Sequence, residues 1–481
     1  MLRAKVFLQK LNLIKIVSQP VFQKLILAAS CGLFLFLGIF QHISDSEFWP
    51  ISLAKKFGQI DSQNTSLYYK FFFHALLKVP YFFELNSVEH LIAVRVLFSL
   101  IGLLTLILFF KISLKFYQSK SVAFVMSVML LTCVSYFSQW SRIRSDELVL
   151  FLALLGIFLN EYFLRKSSKL ISLALISNIM ILTSPKAIYW VLILTIYAWP
   201  GWLYLGAPLV GICLIFMASV FVFNSQLLLG SYSEAAHYFL SSWSWDLQNP
   251  AVGFYEVRSF FESQIFQLAI AAGGICIFFS KYRNLKHRLI FGFFAALSCL
   301  ILHPQRYDFF IGALMPFLIL PAGFLILRIQ DLKNLKLWIL LGGLCCVQII
   351  WASSNSKWWR FNGKELEKIS QLEELMNQVP AANYFDGIGV LPRQNVIYAY
   401  LGPNDGVAVS GAIEILKSND INFIFRNSRS YMMEPNLSMR LEKNYIEIRR
   451  GVFVEEKFKN KFTIDLKGRP LEYYFSFSPA Y

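Results

Sequence analysis

Four polar segments combine acidic and basic side chains in a way that suits group transfer from a phosphate. Asp45 and Glu47 lie in HISDSEFW, Asp146 follows two arginines in SRIRSDEL, Lys186 lies in TSPKAIYW and Arg306 lies in HPQRYDFF. A carboxylate at such a site removes a proton from an attacking hydroxyl group, and cations stabilise the charge on a departing phosphate. The residue types therefore favour acid–base chemistry at a phosphate-bearing substrate.

Each of these residues also has a structural explanation. Asp45 and Glu47 are consistent with solvated loop acids. Asp146 is a favourable helix N-cap, and a carboxylate in a first helical turn suits the helix dipole. Lys186 and Arg306 fit helix ends whose long side chains extend into water at a membrane surface. The chemical interpretation therefore requires the four segments to face one side of a membrane.

The composition places most of the chain in a membrane. Hydrophobic residues make up 56% of the chain and charged residues only 15%, against about 25% charged in ordinary globular domains. Runs of roughly 17 to 25 apolar residues are needed to cross a bilayer, and about eleven runs approach that length. The sequence thus predicts a polytopic α-helical membrane protein with spans near 23–41, 90–110, 121–138, 147–164, 168–183, 187–200, 203–223, 261–280, 289–302, 308–327 and 336–352.

Basic residues in the short loops predict the orientation, because Lys and Arg stay on the cytoplasmic side. They concentrate in the N-terminal arm and in segments 111–120, 164–169, 281–288 and 328–336. An odd number of spans then places the N-terminus inside and the C-terminus outside, as in a bacterial inner-membrane protein. The net charge of +16 is accordingly attributed to topology, and nucleic acid is not an expected partner. The seven cysteines fall in apolar spans, so no disulfide framework is predicted.

The outward-facing polar groups are then loop 41–89, the turns around 142–147 and 184–190, loop 224–260, and the turn at 303–308. Every one of them carries an ionisable residue. A transporter or flippase of lipid-linked sugars is the alternative. Transporters bind their cargo near the middle of the membrane, so an ionisable residue inside a span would support it. Arg95, inside a predicted span, is the best sequence support for that alternative. A polymerase or ligase of surface polysaccharide is a further alternative with the same compartment.

The last part of the chain, residues 353–481, has the alternation of a small water-soluble α/β domain, following a membrane domain at 1–352. A helix is predicted at 363–379, followed by strands around NYFDGIGVLP, INFIFRN, NYIEIRRGVFVEEK and LEYYFSF, with a helix at AIEILKSND. Asp386 in FDGIG is interpreted as a turn former. No glycine-rich loop opens a helix here, so no nucleotide site is expected. This domain is expected to cap the site or shape access of the acceptor.

Five segments resemble the motifs of GT-C glycosyltransferases, in particular glycosyltransferase family 39 and the lipid A aminoarabinose transferases. The similarity extends over most of residues 20–330. The segments, in the family's order, are DSEFW (45–49), LYYKFFFHALL (67–77), RSDELVLFLALL (144–155), SPKAIYW (184–190) and HPQRYDFFIGALMPFLIL (303–320).

This resemblance implies a polyprenyl-phosphate sugar as donor, an inverting single displacement, and a lipid, glycan or protein as acceptor. Asp45 would be the general base, with Glu47 as the competing candidate. Asp146 would position the acceptor or a metal ion. The donor phosphate would be held by cations and a tyrosine, namely Lys186, Arg306, Arg144 and Tyr69.

No cofactor is assigned, and a divalent metal held by Asp45, Glu47 and Asp146 is an alternative that their spacing does not decide.

The chain departs from the family's pattern at one loop. Many relatives carry a Lys or His followed by prolines before the LYY segment, whereas this chain has SQNTS at 62–66. The resemblance therefore assigns no phosphate contact to this loop.

Overall fold

A computed structural model describes the chain in segments. The described residues are parts of 28–45, then 45–56, 70–136 except 134, 142–162, 166–198, 250–282, 287–302, 308–332, parts of 343–350, 361–379, 382–397, 421–426, 444–449 and 451–461. Most of the described residues are helical, with one small sheet.

The described residues form two compact units. We call the first the helical unit; it takes its residues from Met1–Ile39, Tyr68–Phe73 and Val96–Trp358. The second, the mixed unit, takes them from Phe40–Leu67, His74–Arg95 and Trp359–Tyr481. The first outer loop, which the sequence analysis counts with the membrane domain, thus packs with the C-terminal residues.

Twelve α-helices are described, and three short 3-10 turns and one π-helical turn accompany them. They are α1 Asp45–Lys56, α2 Phe71–Lys78, α3 Ser87–Tyr117, α4 Lys120–Leu131, α5 Ser145–Tyr162, α6 Lys166–Thr183, α7 Ile188–Ala198, α8 Pro250–Ile277, α9 His287–Leu302, α10 Asp308–Ile319, α11 Ala322–Asp331 and α12 Gly363–Asn377.

Helices α3 to α11 fall on eight of the predicted spans, but few of them meet a strict test for crossing a bilayer. In the described part of the chain, α3 alone is long and apolar enough, and α10 with α11 would add a second span if their 41° bend lies within it. Pro316 inside α10 and Pro321 before α11 account for that bend, because proline removes a backbone donor. Helix α5 carries Asp146, Glu147 and Glu161 within its length. The figure of about eleven spans stays a prediction, and predicted span 203–223 lies outside the described residues.

The helical unit has a tightly packed apolar core. Helix α5 packs against α6 and α7, α8 against α10 and α11, and α9 against α7 and α10. Two glycines permit the closest backbone approaches. A Cβ atom on Gly274 of α8 would lie 2.0 Å from the Pro321 carbonyl oxygen, and one on Gly312 of α10 would lie 2.5 Å from that of Ser135.

The mixed unit contains a five-stranded sheet of the order β2-β1-β3-β5-β4. Strand β1 pairs in parallel with β2 and β3, whereas β5 pairs antiparallel with β3 and β4. The strands are β1 Asn383–Phe385, β2 Asn395–Val396, β3 Phe423–Phe425, β4 Tyr445–Arg449 and β5 Val452–Glu455. The sheet and α12 lie in the region after residue 353 where a small α/β domain is predicted, but the compact unit that contains them also includes residues of 40–67 and 74–95. The predicted AIEILKSND helix and LEYYFSF strand lie outside the described residues.

Candidate functional site

One end of the helical unit joins segments that the basic-residue rule assigns to the cytoplasm. Side chains from the ends of α3, α5, α9 and α11 meet there. Three hydrogen bonds link them: Tyr162 Oη to Lys111 O (2.8 Å), Arg288 Nη1 to Glu161 Oε1 (2.7 Å) and Ser119 Oγ to Gln330 Oε1 (2.9 Å). The Lys115 ammonium also lies 5.3 Å from the centre of the Tyr162 ring. This end therefore collects three of the basic segments, 111–120, 281–288 and 328–336.

The opposite end joins turns that the same rule places outside. The segment after α4 contacts α8, because Gln264 Nε2 donates to Ser135 Oγ at 2.8 Å. It also contacts α10, at the Gly312 approach described above. The Trp190 ring, four residues after Lys186, lies 5.2 Å from that of Phe310, which follows the RYD segment. Segments next to the second, third and fifth predicted outer turns thus contact one another at this end of the unit.

Asp146 lies at this end, in the first turn of α5. Its side chain is 5% exposed, and its Oδ1 atom has no hydrogen-bond partner among the residues that the structure describes. Glu147 is equally buried and interacts electrostatically with both Asp146 and Arg144. Leaving a buried carboxylate oxygen unpaired costs free energy, which a donor or cation brought by a substrate would recover. Asp146 is therefore suited to contact a ligand.

Lys186 lies at the same end as Asp146. Its short turn, Pro185–Ala187, follows α6 and packs against α5, α6 and α7. Gly156 of α5 faces Ile176 of α6, since a Cβ atom there would lie 3.6 Å from the Ile176 Cγ2 atom. In an antiparallel helix pair, two residues lie at the same level along the pair if one precedes the contact on its helix by as many positions as the other follows it on the partner helix. Ten residues back from Gly156 is Asp146, and ten forward from Ile176 is Lys186, which is only 9% exposed.

Three of the predicted site positions are described only in part or not at all. Arg306 and Tyr69 lie outside the described residues. Asp45 is described as the first residue of α1, without its side chain. Asp45 and Glu47 belong to the mixed unit, and Asp146, Arg144 and Lys186 belong to the helical unit. The meeting of these two groups around one substrate stays a prediction.

Glu47 forms a fully buried ion pair with Arg95 of α3. Arg95 Nε donates to Glu47 Oε2 at 3.1 Å, and Nη2 donates to Oε1 at 2.8 Å. Arg95 Nη1 donates to the Gln41 carbonyl oxygen at 2.6 Å. The Glu47 side chain is fully buried and Arg95 is 1% exposed. This two-pronged geometry is the strong form of the arginine–carboxylate pair.

Arg95 was predicted as a charged residue inside a span, and no partner was predicted for it. Charged residues inside membrane spans usually pair with one another or with backbone carbonyls, and that rule is the signal that could have indicated a partner. Glu47 precedes Arg95 by 48 residues. Spacing alone did not select it among the acids of loop 41–89.

The apolar face of α1 is covered by protein. Phe48, Ile51 and Ala54 are completely buried within the mixed unit. Ser52 Oγ donates to the Gly389 carbonyl oxygen at 2.6 Å, so the turn after β1 lies against this helix. The apolar pattern of 48–57 also suits a helix in the lipid headgroup plane. The burial assigns that face to packing with the C-terminal domain instead.

Asp386 has the turn-forming role that its FDGIG context predicts. Its Oδ1 accepts from the backbone N–H groups of Ile388 (2.8 Å) and Gly389 (2.6 Å), and its Oδ2 from that of Val390 (2.8 Å). Gly387 and Gly389 have φ angles of 73° and 81°, which this turn needs. Burial raises the pKa of Asp386 to about 6, against the lowering effect of the three N–H donors. At neutral pH the carboxylate is largely ionised and holds the turn together.

The described residues contain no cluster of three or more His, Cys, Asp or Glu side chains that could hold a metal ion. The Asp45 side chain is not among them. A metal shared by Asp45, Glu47 and Asp146 therefore stays a sequence prediction, although Glu47 already has Arg95 as its partner.

No protein-family model matches this chain, and none of the curated proteins compared with it is significantly similar.

Proposed function

We propose that this protein is a membrane glycosyltransferase that moves a sugar from a polyprenyl-phosphate donor to a hydroxyl acceptor at the outer face of the inner membrane. The acceptor is a lipid, a glycan or a protein. The proposal rests on the resemblance of five ordered segments to GT-C enzymes. Asp45 is the general base, Asp146 positions the acceptor, and Lys186 and Arg306 hold the donor phosphate.

The observation that carries this proposal is the position of two described polar residues at one end of the helical unit. A buried carboxylate with an unpaired oxygen, Asp146, and a nearly buried cation, Lys186, lie at the same end. A sugar phosphate offers the matching groups, since its hydroxyls donate to the acid and its phosphate attracts the cation. The opposite end carries Lys115 and Arg288, which topology alone explains.

The Glu47–Arg95 pair supports Asp45 as the base. A general base must reach the proton that it removes, within about 3 Å or through one water molecule. Glu47 is fully buried, and both its oxygens accept hydrogen bonds from Arg95. Removing Glu47 from this pair to serve a substrate would leave a buried guanidinium uncompensated. Asp45, the other candidate of the DSE motif, begins the same helix.

The reaction is a single displacement at the anomeric carbon. The acceptor oxygen loses its proton to the Asp45 carboxylate and forms a bond to that carbon on the face opposite the phosphate. The bond from the anomeric carbon to the phosphate oxygen breaks, and its electron pair leaves with the polyprenyl phosphate. Lys186, Arg306 and Arg144 stabilise the added negative charge on that phosphate. The configuration at the anomeric carbon is inverted.

The Glu47–Arg95 pair also bears on the transporter alternative. Arg95 was the group best placed to bind cargo inside the membrane, but its guanidinium contacts Glu47 and the Gln41 carbonyl. Arg95 thus has a structural explanation that does not require cargo.

The direct test incubates the purified protein in lipid with a panel of polyprenyl-phosphate sugars and lipid, glycan and peptide acceptors. We expect one donor to release polyprenyl phosphate in step with formation of a glycosylated acceptor. The same panel without acceptor is the control, and it should release little. No release with any pair, together with movement of a labelled lipid-linked sugar across the bilayer, would contradict the proposal and support the transporter.

A further inference from the structure

The C-terminal domain contacts α1 through hydrogen bonds from two side chains of this helix. Besides the Ser52 hydrogen bond, Lys55 Nζ donates to the backbone carbonyl oxygens of Arg393 (2.8 Å) and Gln394 (3.0 Å). These acceptors lie in the segment between β1 and β2, which the Asp386 turn begins. The helix that starts with Asp45 is thereby tied to residues more than 330 positions later in the chain.

The Arg393 side chain contacts the segment between α2 and α3. Its Nη2 atom donates to the carbonyl oxygens of Pro80 (2.9 Å) and Phe83. Its guanidinium carbon lies 5.2 Å from the centre of the Tyr81 ring, a cation–π arrangement. Arg393 therefore contacts three residues of one short turn.

Tyr81, which lies in this segment, in turn contacts α1. Its hydroxyl group lies 2.9 Å from the Ile51 carbonyl oxygen and 3.1 Å from that of Pro392. One phenol hydroxyl thus lies between the middle of α1 and the segment that carries Arg393. A hydroxyl has one proton, so these two contacts share a single donor.

A third connection between the C-terminal domain and α1 runs through α3. Glu373 of α12 caps the start of α3, where both its oxygens accept from Ser87 N (2.8 and 3.1 Å) and Oε1 accepts from Ser87 Oγ (2.6 Å). A carboxylate at a helix N-terminus is favourable for the helix dipole. Arg95, two turns further along α3, binds Glu47 of α1. Helix α1 is therefore connected to the C-terminal domain directly, through Ser52 and Lys55, and indirectly, through Arg95 and the start of α3.

We propose that the C-terminal domain is a positioning element for the catalytic helix α1, and that Arg393 is its central positioning residue. This inference rests on the proposed function, in which Asp45 at the start of α1 is the general base. Arg393 itself does not touch the substrate. Its guanidinium holds the turn that contains Tyr81, whose hydroxyl contacts α1 at the Ile51 carbonyl oxygen, and its own backbone carbonyl accepts from Lys55 of α1.

The expected consequence follows from the sensitivity of proton transfer to geometry. A misplacement of about 1 Å in a catalytic group costs on the order of 100-fold in rate. The groups assigned to the donor phosphate belong to the helical unit, whereas Arg393 and its contacts belong to the mixed unit. Loss of Arg393 should consequently lower kcat and leave the KM for the donor nearly unchanged.

The test compares Arg393→Met, Arg393→Lys and the matched control Lys457→Met in the full-length protein. Lys457 is an exposed cation of the same domain, paired with Glu455. We expect kcat to fall about 10- to 100-fold in Arg393→Met with the donor KM within about twofold, as a misplaced base predicts. Arg393→Lys should be intermediate, because lysine keeps the charge and loses the planar fork. Lys457→Met should match the unchanged protein.

Hydrogen–deuterium exchange gives a second readout that does not need activity. Exchange over residues 45–56 should become faster in Arg393→Met and stay unchanged in Lys457→Met. If Arg393→Met does not fold, Lys55→Met takes its place with both readouts, since it removes the two carbonyl contacts between α1 and the segment before β2.

The two proposals fail in different ways. If no donor is used by the unchanged protein, the proposed function is wrong, and the exchange of α1 still decides whether Arg393 fixes this helix. Unchanged exchange over 45–56 in both Arg393→Met and Lys55→Met would overturn the positioning inference. Equal losses in kcat and donor affinity would likewise overturn it, because they would indicate a general structural defect.

Discussion

Replacing Asp45 with asparagine should lower the rate of sugar transfer by about 100- to 10,000-fold, the usual contribution of a general base. Asparagine has nearly the same shape and cannot accept a proton. Asp45 begins α1, and loss of its charge at a helix N-terminus costs only about 0.3 to 1 kcal/mol. The protein should therefore fold and insert normally. The rate is measured as polyprenyl phosphate released per minute at saturating donor.

The matched control for this variant is Glu84→Gln, which removes an exposed acid from the same loop. Its rate should equal that of the unchanged protein. A transfer rate in Asp45→Asn within about threefold of the unchanged protein would show that this carboxylate is not the base.

Replacing Arg95 with methionine should destabilise the protein by about 3 to 5 kcal/mol, the usual result of removing one partner of a buried ion pair. The variant leaves the fully buried Glu47 carboxylate without the two N–H donors that it now has. It also frees the Gln41 carbonyl oxygen from its 2.6 Å contact with Arg95. The free energy of unfolding is measured by denaturant titration in detergent.

The double variant Arg95→Met, Glu47→Leu separates the loss of the pair from the loss of a buried residue. It should recover most of the stability, because no charge then stays buried without a partner. Lys457→Met, which breaks the exposed Lys457–Glu455 contact of 2.8 Å, should change stability by no more than about 1 kcal/mol. Equal and small effects for the Arg95 and Lys457 variants would contradict the assignment of a buried ion pair.

The helical elements were the part of the fold that local pattern predicted well. The apolar run predicted at 90–110 lies within α3, and the runs at 147–164 and 168–183 correspond to α5 and α6. Hydrophobic runs interrupted by charged loops carry that information locally. The mixed unit was less predictable, because packing of α1 on the 386–395 segment depends on contacts such as Ser52 to Gly389, 337 residues apart.

The candidate site likewise has one part that the sequence predicted and another part that only the fold revealed. That Asp146 and Lys186 lie at one end follows from a helical hairpin with a short connection, which a sequence pattern supplies. The pairing of Glu47 with Arg95 required the fold, since several acids of the first loop were equally placed in sequence. The same pairing gives Glu47 a structural role, whereas the DSE motif alone left Asp45 and Glu47 as competitors for the role of base, and the choice of Asp45 stays a prediction. Arg306 and Tyr69 lie outside the described residues, so their roles rest on the resemblance.

A shared catalytic site requires the first loop and the turn before α5 to lie on the same outer face of the membrane. Thiol labelling tests this requirement directly. Glu84→Cys, Arg142→Cys and Lys120→Cys report on loop 41–89, the turn before α5 and the loop before α4, with the unchanged protein as background. In spheroplasts, a membrane-impermeant maleimide should label the cysteines at 84 and 142, and should label the one at 120 only after permeabilisation. Labelling of 84 and 142 from opposite sides of the membrane would contradict a shared catalytic site.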